Sequence, residues 1–373
     1  MKIFFDHQIF FHQKIGGISK YFYKLIDKLI KIEDVSVYLF QGLYQNIYDF
    51  SYMRSSLGFY LGWRKPEWIK FGKISRLVDK YIQFYCSKYL KTFRPDIFHP
   101  TYYRFPLAPP GTKTVLTVHD LIHELFPQYF RNAKYEISSK KKAIKSADAL
   151  IAVSFNTKKD LINIYNVEPG KVFVVYHGVE NSPNLPPEKK LALIAGLPKP
   201  YILFVGSRKL YKNFDCLLDA FRLPEMKNFG LVCAGGGSFT KEEENKLSKI
   251  LVPKERVLQI SGSDSLIQEL YRNAFCFVFP SFYEGFGLPI LEAMNSGCPA
   301  VISNASCFSE IGGDAAIYFD PKSPEDLVRS VLNLESDFYR AFKVEAGLKR
   351  AKLFTWEKTA QETYRVYKAV LGL

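Results

Sequence analysis

A chain of 373 residues is long enough for two domains, each with its own core, and too long for a peptide hormone or a disulfide-stapled toxin. With 47% hydrophobic and 24% charged residues it has ordinary globular composition, which excludes disordered and fibrous classes. The formal net charge of +14 is uneven: residues 1–185 carry 27 Lys and Arg against 15 Asp and Glu, residues 186–373 carry 24 against 22, so the basicity belongs to the first half and points to nucleic acid, an anionic membrane or an acidic substrate.

Along the first half, short β-branched and aromatic runs recur at 2–5, 35–40, 96–99, 114–118, 149–153 and 172–176. Continuous apolar runs without alternation predict strands buried on both faces, hence a parallel sheet covered by helices. Between the first two runs, Ile18, Phe22, Leu25, Ile26, Leu29 and Ile30 form a stripe opposite Lys20, Lys24, Lys28 and Lys31, an amphipathic crossover helix. Residues 1–180 thus read as one α/β domain. Five prolines between 181 and 200 break both periodicities and suit a linker. The pattern restarts at 201–205 and continues at 230–234, 256–260, 275–279, 299–303 and 316–319, making 201–373 a second α/β domain. The expectation is two doubly wound units facing each other across a cleft, with ligands at the carboxyl ends of the strands.

Six cysteines form no CxxC pair and lie mostly in apolar runs, which suits a reducing, cytoplasmic compartment. Only three apolar residues separate Lys2 from Asp6, so no signal-peptide core is expected. The longest uncharged stretch, Ala293–Ser309, contains Gly297 and Pro299 and does not suit a membrane-spanning helix.

The most informative segment runs from Phe277 to Ser303. Pro289 fits the first turn of a helix beginning near Leu288, which leaves Glu284 in the preceding loop and puts Glu292 in the first turn. Gly285 and Gly287 allow close backbone approach, and the unpaired N–H groups of a helix start favour an anion such as phosphate. Arg208 and Lys212 follow the strand at 201–205 and are expected to project from its carboxyl end.

The run E-G-F-G-L-P-I-L-E at 284–292, after an apolar strand and Pro-Ser, resembles the signature of the retaining nucleotide-sugar glycosyltransferases of family 4, which have the two-domain, Rossmann-like GT-B fold. SADALIAVS at 146–154, YHGV at 176–179, VGSRKLYKNFDCLLDAF at 205–221, SGSDSLIQELYRNA at 261–274 and FTWEKTA at 354–360 extend the resemblance over nearly the whole chain. The resemblance implies that Arg208 and Lys212 neutralise the donor diphosphate. The arginine sits one place later than the commoner spacing, so Lys209 shares that task. It also implies that Glu284 and the N–H groups of Phe286, Gly287 and Leu288 hold sugar and phosphate, that Glu292 holds the ribose, that the Gly16-Gly17 loop approaches the donor phosphate, and that His119 contacts the donor sugar. The last helix would pack back on the first domain. The expected function is retaining transfer of a sugar, mannose-type by a faint signal in VGSRKLYKNFD, from a GDP- or UDP-type donor to a glycan or lipid-linked acceptor in bacterial-type surface polysaccharide synthesis.

No Asp-x-Asp pair and no zinc-spaced His/Cys cluster occurs, so no metal and no cofactor beyond the donor substrate is expected. No G-x-G-x-x-G follows the first strand, which argues against a nicotinamide enzyme, and AGGGS at 234–238 lacks the Lys-Ser/Thr of a P-loop. The rivals are a nucleotide-sugar epimerase or hydrolase of the same fold and a basic nucleic-acid binder, the latter without a recognised motif. Two lysine groups, Lys140, Lys141, Lys142 and Lys145 and the face Lys20, Lys24, Lys28 and Lys31, are expected to draw the protein to the inner face of an anionic membrane.

Overall fold

The computed structural model describes residues 1–66, 73–181, 185–208 and 210–373. The chain divides into two compact units, Met1–Gly178 with Trp356–Leu373, and Val179–Thr355. In the first, β1 (Lys2–Phe5), β2 (Ser36–Tyr44), β3 (Phe59–Arg64), β4 (Ile97–His99), β5 (Lys113–Val118), β6 (Ala149–Ala152) and β7 (Val172–Val174) form a sheet of order β3-β2-β1-β4-β5-β6-β7. In the second, β8 (Tyr201–Val205), β9 (Gly230–Ala234), β10 (Val257–Ile260), β11 (Cys276–Phe279), β12 (Ala300–Ser303) and β13 (Ile317–Phe319) take the order β10-β9-β8-β11-β12-β13. Every pairing is parallel.

The apolar runs become strands because both faces are covered. Phe4, Phe5, Ile97 and Phe98 in the first sheet and Ile202, Leu203, Phe277 and Val278 in the second are wholly buried. In each sheet the order reverses once, between β1 and β4 and between β8 and β11. Loops leaving those strands at their carboxyl ends part in opposite directions and open a crevice there. Each unit therefore has one geometrically favoured place for a ligand.

Three features depart from the sequence reading. β3 pairs only with β2, and its residues are half-exposed or exposed, so it shows no continuous apolar run that matches the others. Residues 181–200 belong to the second unit and carry a helix, Pro187–Ala195, between the prolines. The helix Gly17–Leu29 buries Tyr21, Phe22, Leu25, Ile26 and Leu29, but its lysine face is not an open cationic surface. Lys28 pairs with Glu357 at 2.9 Å, and Lys31 pairs with Asp27 at 3.1 Å.

The helix Trp356–Leu371 completes the first unit. Trp356 is buried, the Thr359 hydroxyl donates to the Tyr176 carbonyl at 2.8 Å, and the Tyr367 hydroxyl lies 2.6 Å from His99 Nδ1. Among the described residues no helix is long and apolar enough to cross a membrane.

Lys140 corrects the expectation of a four-lysine membrane cluster. Its side chain is 1% exposed, donating to Glu124 Oε2 and the Asp120 carbonyl at 3.0 Å each, while Lys141, Lys142 and Lys145 are exposed. Glu124, 3% exposed, also accepts from the Tyr165 hydroxyl at 2.6 Å. Truncating one member of a buried pair leaves the other charge uncompensated, so Lys140→Ala is expected to cost about 3–5 kcal/mol of first-unit stability. Lys141→Ala should change it by less than about 0.5 kcal/mol. Urea denaturation of the two variants checks this; equal midpoints would show that the pair is not a structural element.

Candidate functional site

The second unit's crevice is built from the loops after β8 and β11. Asn213, in left-handed conformation, ends the turn Leu210–Lys212, and its side-chain amide donates to the Pro280 carbonyl at 3.1 Å and the Pro321 carbonyl at 2.7 Å. The Phe282 N–H donates to the Tyr211 carbonyl at 2.9 Å, tying the two loops together. Held this way, Lys212 Nζ donates to Glu284 Oε1, with 13% and 17% of the two side chains exposed. The ammonium also lies 5.1 Å from the centre of the Phe279 ring. Glu284 is fixed in turn by Ser306, whose hydroxyl accepts from the Glu284 N–H at 3.2 Å and donates to its carbonyl at 2.7 Å.

After Glu284 the chain turns through Gly285, Phe286 and Gly287, all buried, into the helix Leu288–Asn295. Gly287 caps the helix at φ +99, a conformation that a residue with a Cβ adopts only under strain. Pro289 lies in the first turn as expected. Glu292 does not: it is the fifth residue of the helix, and the first turn holds no acidic residue. The N–H groups of Gly287 and Leu288 therefore sit at the start of a helix, beside Lys212 and Glu284, where a negative group is favoured.

Arg208 is placed differently from Lys212. Its side chain is 2% exposed, and Nε donates to Glu243 Oε1 at 2.7 Å. The remaining nitrogens donate to the carbonyls of Gly235 at 3.2 Å, Gly237 at 2.9 Å and Ser238 at 3.0 Å. Arg208 thus braces the glycine turn after β9. Although burial works to raise it, the Glu243 carboxyl is held below its usual range by Arg208 and by the Thr240 N–H. Lys209, expected to share the role of Arg208, lies outside the described residues.

In the first unit, Gly16 caps the helix Gly17–Leu29, and a Cβ there would run into the Gln13 side chain. Gln13 Oε1 accepts from the Ser19 N–H at 3.0 Å, so the glycine admits a long side chain that closes the helix start. Tyr21 and Phe22 of this helix pack edge-on against His119, which follows β5. His119 stacks on His177 with ring centres 5.7 Å apart, and its Nε2 is buried without a hydrogen-bond partner. A buried imidazole nitrogen without a partner is costly, and one ring nitrogen each of His7 and His123 shares that condition.

Sequence reasoning missed Gln13, His177, Ser306, Glu243 and Asn213. Asn213 had a local signal, an asparagine before an apolar helical run. Ser306 and His177 reach their partners across 22 and 58 residues, so only the folded chain brings them there.

Burial pushes His119 down to about 4, with Lys140 adding to the effect and Asp120 opposing it; it pushes His99 down to about 3 and His177 well below the ordinary histidine value. A histidine lowered on folding contributes stability above about pH 6.5 that is lost as pH falls toward its folded value. Stability of the first unit is therefore expected to begin falling below about pH 6.5, before ordinary carboxylates titrate, and to go on falling toward about pH 4. His119→Gln should flatten part of that fall in unfolding curves; an unchanged pH slope would mean that the imidazole is not held neutral.

Two families match the chain, "Glycosyltransferase Family 4" over residues 15–182 and "Glycosyl transferases group 1" over residues 189–346, covering most of it between them. The O-antigen chain mannosyltransferase B of Escherichia coli is 29% identical over 296 residues, 75% of this chain and 76% of that protein. Three further curated relatives are matched over less than two thirds of their own length. Among solved structures, sucrose-phosphate synthase from Thermosynechococcus elongatus superposes with a TM-score of 0.77 at 17% identity, covering 100% of this chain and 99% of that one. Anabaena HepE, in complex with UDP and glucose, superposes with a TM-score of 0.71 at 18% identity, covering 98% of this chain and 99% of that one.

Proposed function

The chain belongs to glycosyltransferase family 4, with the GT-B fold, and from that premise we propose that it transfers a mannose-type sugar, with retention, from a nucleoside diphosphate sugar to a hydroxyl of a glycan or lipid-linked acceptor. The observation that carries this reading is the Lys212–Glu284 pair beside a glycine-capped helix start, at the point where the order of the second sheet reverses. A cation and the N–H groups of a helix start suit a diphosphate, and a carboxylate beside them suits a sugar that gains positive charge.

In the proposed step the bond between the anomeric carbon and the diphosphate oxygen breaks while the acceptor oxygen bonds to the same face. The acceptor's proton passes to the departing phosphate, so no protein nucleophile is required. Lys212 offsets the charge that grows on the leaving group, while Arg208 keeps the glycine turn after β9 in shape. Glu284 and the N–H groups of Phe286, Gly287 and Leu288 orient sugar and phosphate, and Glu292, one turn further on, takes the ribose. To Gly16, Gly17 and His119 the likeness to the family gives a part in donor binding. The enzyme's contribution is positioning and charge stabilisation.

Surface polysaccharide synthesis is supported by likeness to the E. coli O-antigen enzyme, and a nucleotide donor by the UDP found with the Anabaena protein; the proposed place of action is the cytoplasmic face of a membrane. The sequence has no Asp-x-Asp pair, so turnover is proposed to proceed without a divalent cation.

A panel of GDP, UDP, ADP and dTDP sugars in a thermal-shift assay tests the donor, since a ligand at 100 times its Kd stabilises by about 2.7 kcal/mol. With the active donor, Lys212→Ala should lose roughly ten- to 150-fold in kcat/KM, the worth of one charge-assisted hydrogen bond of about 1.5–3 kcal/mol, and Glu284→Gln a similar amount. Near-normal kinetics in both variants would remove the pair from the site, and turnover abolished by EDTA and restored by Mg²⁺ would overturn the metal-free mechanism.

A further inference from the structure

The helix Lys73–Phe93 is apolar on two sides. Its inner side, including Ile82, Cys86 and Leu90, packs with Phe4, Phe40 and Phe98 in the core. Its outer side is apolar as well: Leu77, Tyr81 and Phe84 are 67%, 63% and 66% exposed, and Ile74 and Tyr85 are exposed beside them. These positions recur three and four residues apart, so they make one stripe, about 16 Å long at 1.5 Å per residue. Next to it a cavity of about 380 Å³ opens between the helix and the sheet edge, lined by Leu43, Leu61, Trp63, Val78, Tyr81 and Tyr85. Water-facing surfaces rarely keep a continuous apolar patch of this kind unless something covers it.

The charge around the stripe indicates what covers it. The helix carries five Lys and Arg against one acid, Asp79, and that carboxylate is taken by His7 and His12, each at 3.3 Å. Lys80, Lys88 and Lys91 are exposed, and β3 ends on exposed Arg64. Residues 51–95 hold ten Lys and Arg against two Asp and Glu, +8 of the chain's +14. A second copy pressing the same face against this one would oppose like charges.

We propose that this stripe and cavity dock on an anionic lipid bilayer, with Trp63, Tyr81 and Phe84 lodged at headgroup level and the neighbouring lysines on the lipid phosphates. Aromatic side chains favour that depth, and each nearby cation adds about 1 kcal/mol of attraction to an anionic surface. The inference rests on the membrane part of the proposed function and is independent of the transfer chemistry.

Co-sedimentation of the full chain with vesicles of equal parts phosphatidylcholine and phosphatidylglycerol tests it. Wild type should bind, less so with rising salt and far less to pure phosphatidylcholine. The double variant Leu77→Asn, Phe84→Asn should bind roughly ten-fold or more weakly, because two large apolar groups no longer enter the interface. The triple variant Lys141→Gln, Lys142→Gln, Lys145→Gln should bind like wild type. All three proteins should give the same circular dichroism spectrum, since every substituted side chain is exposed. No binding by wild type would overturn the membrane reading and this surface together. Binding lost in the lysine variant but kept in the double variant would overturn this surface alone. Self-association of wild type without lipid, abolished in the double variant, would reassign the face to a second copy.

Discussion

Parallel pairing obliges the chain to travel back across the sheet before each new strand, so consecutive loops emerge at the same edge. Every further feature of the second unit's site depends on that constraint. The turn after β8 and the loop after β11 are separated by some 70 residues in sequence, yet they leave neighbouring strands in the same direction. The reversal of sheet order between those strands leaves room for both, and Asn213 sets the spacing by bonding to carbonyls of two other loops.

Much of this was legible before folding. Buried parallel strands betray themselves as unbroken apolar runs, and twelve of them mark the centres of their strands to within a few residues. The exception, β3, lies at an edge: it needs no apolar covering on its open side, and Gly62 and Arg64 interrupt its pattern. The Pro187–Ala195 helix was hidden because prolines on both sides resemble punctuation, while nine residues contain little helical periodicity. At the site, Glu284, Gly287 and Pro289 form one local grammar of loop, cap and first turn. Lys212 meeting Glu284 is a consequence of topology, and the burial of Lys140 a consequence of packing, which no tally of lysines conveys.

Charge is handled oppositely at the two arginine and lysine positions after β8. Arg208 spends its planar fork on carbonyls and a carboxylate that already serves as a helix cap, so moving it would disturb the glycine turn and the capping box together. Lys212 carries one flexible ammonium with a single carboxylate partner and an aromatic face below it. The lysine is therefore the member of the pair that can exchange partners at small cost, and the arginine the one that keeps the loop in shape.

The helix Trp356–Leu371 gives the first unit a discontinuous sequence. During synthesis, residues 1–178 leave the ribosome long before the segment that supplies Trp356 and the Tyr367 hydroxyl facing His99. A nascent first unit must wait, with that part of its interior uncovered, until the whole of Val179–Thr355 has been made. Nonsense or frameshift lesions in the codons for Trp356–Leu371 would then damage the first unit, not the second, and the two halves cannot be expressed separately by a single cut at the domain boundary without leaving one of them open.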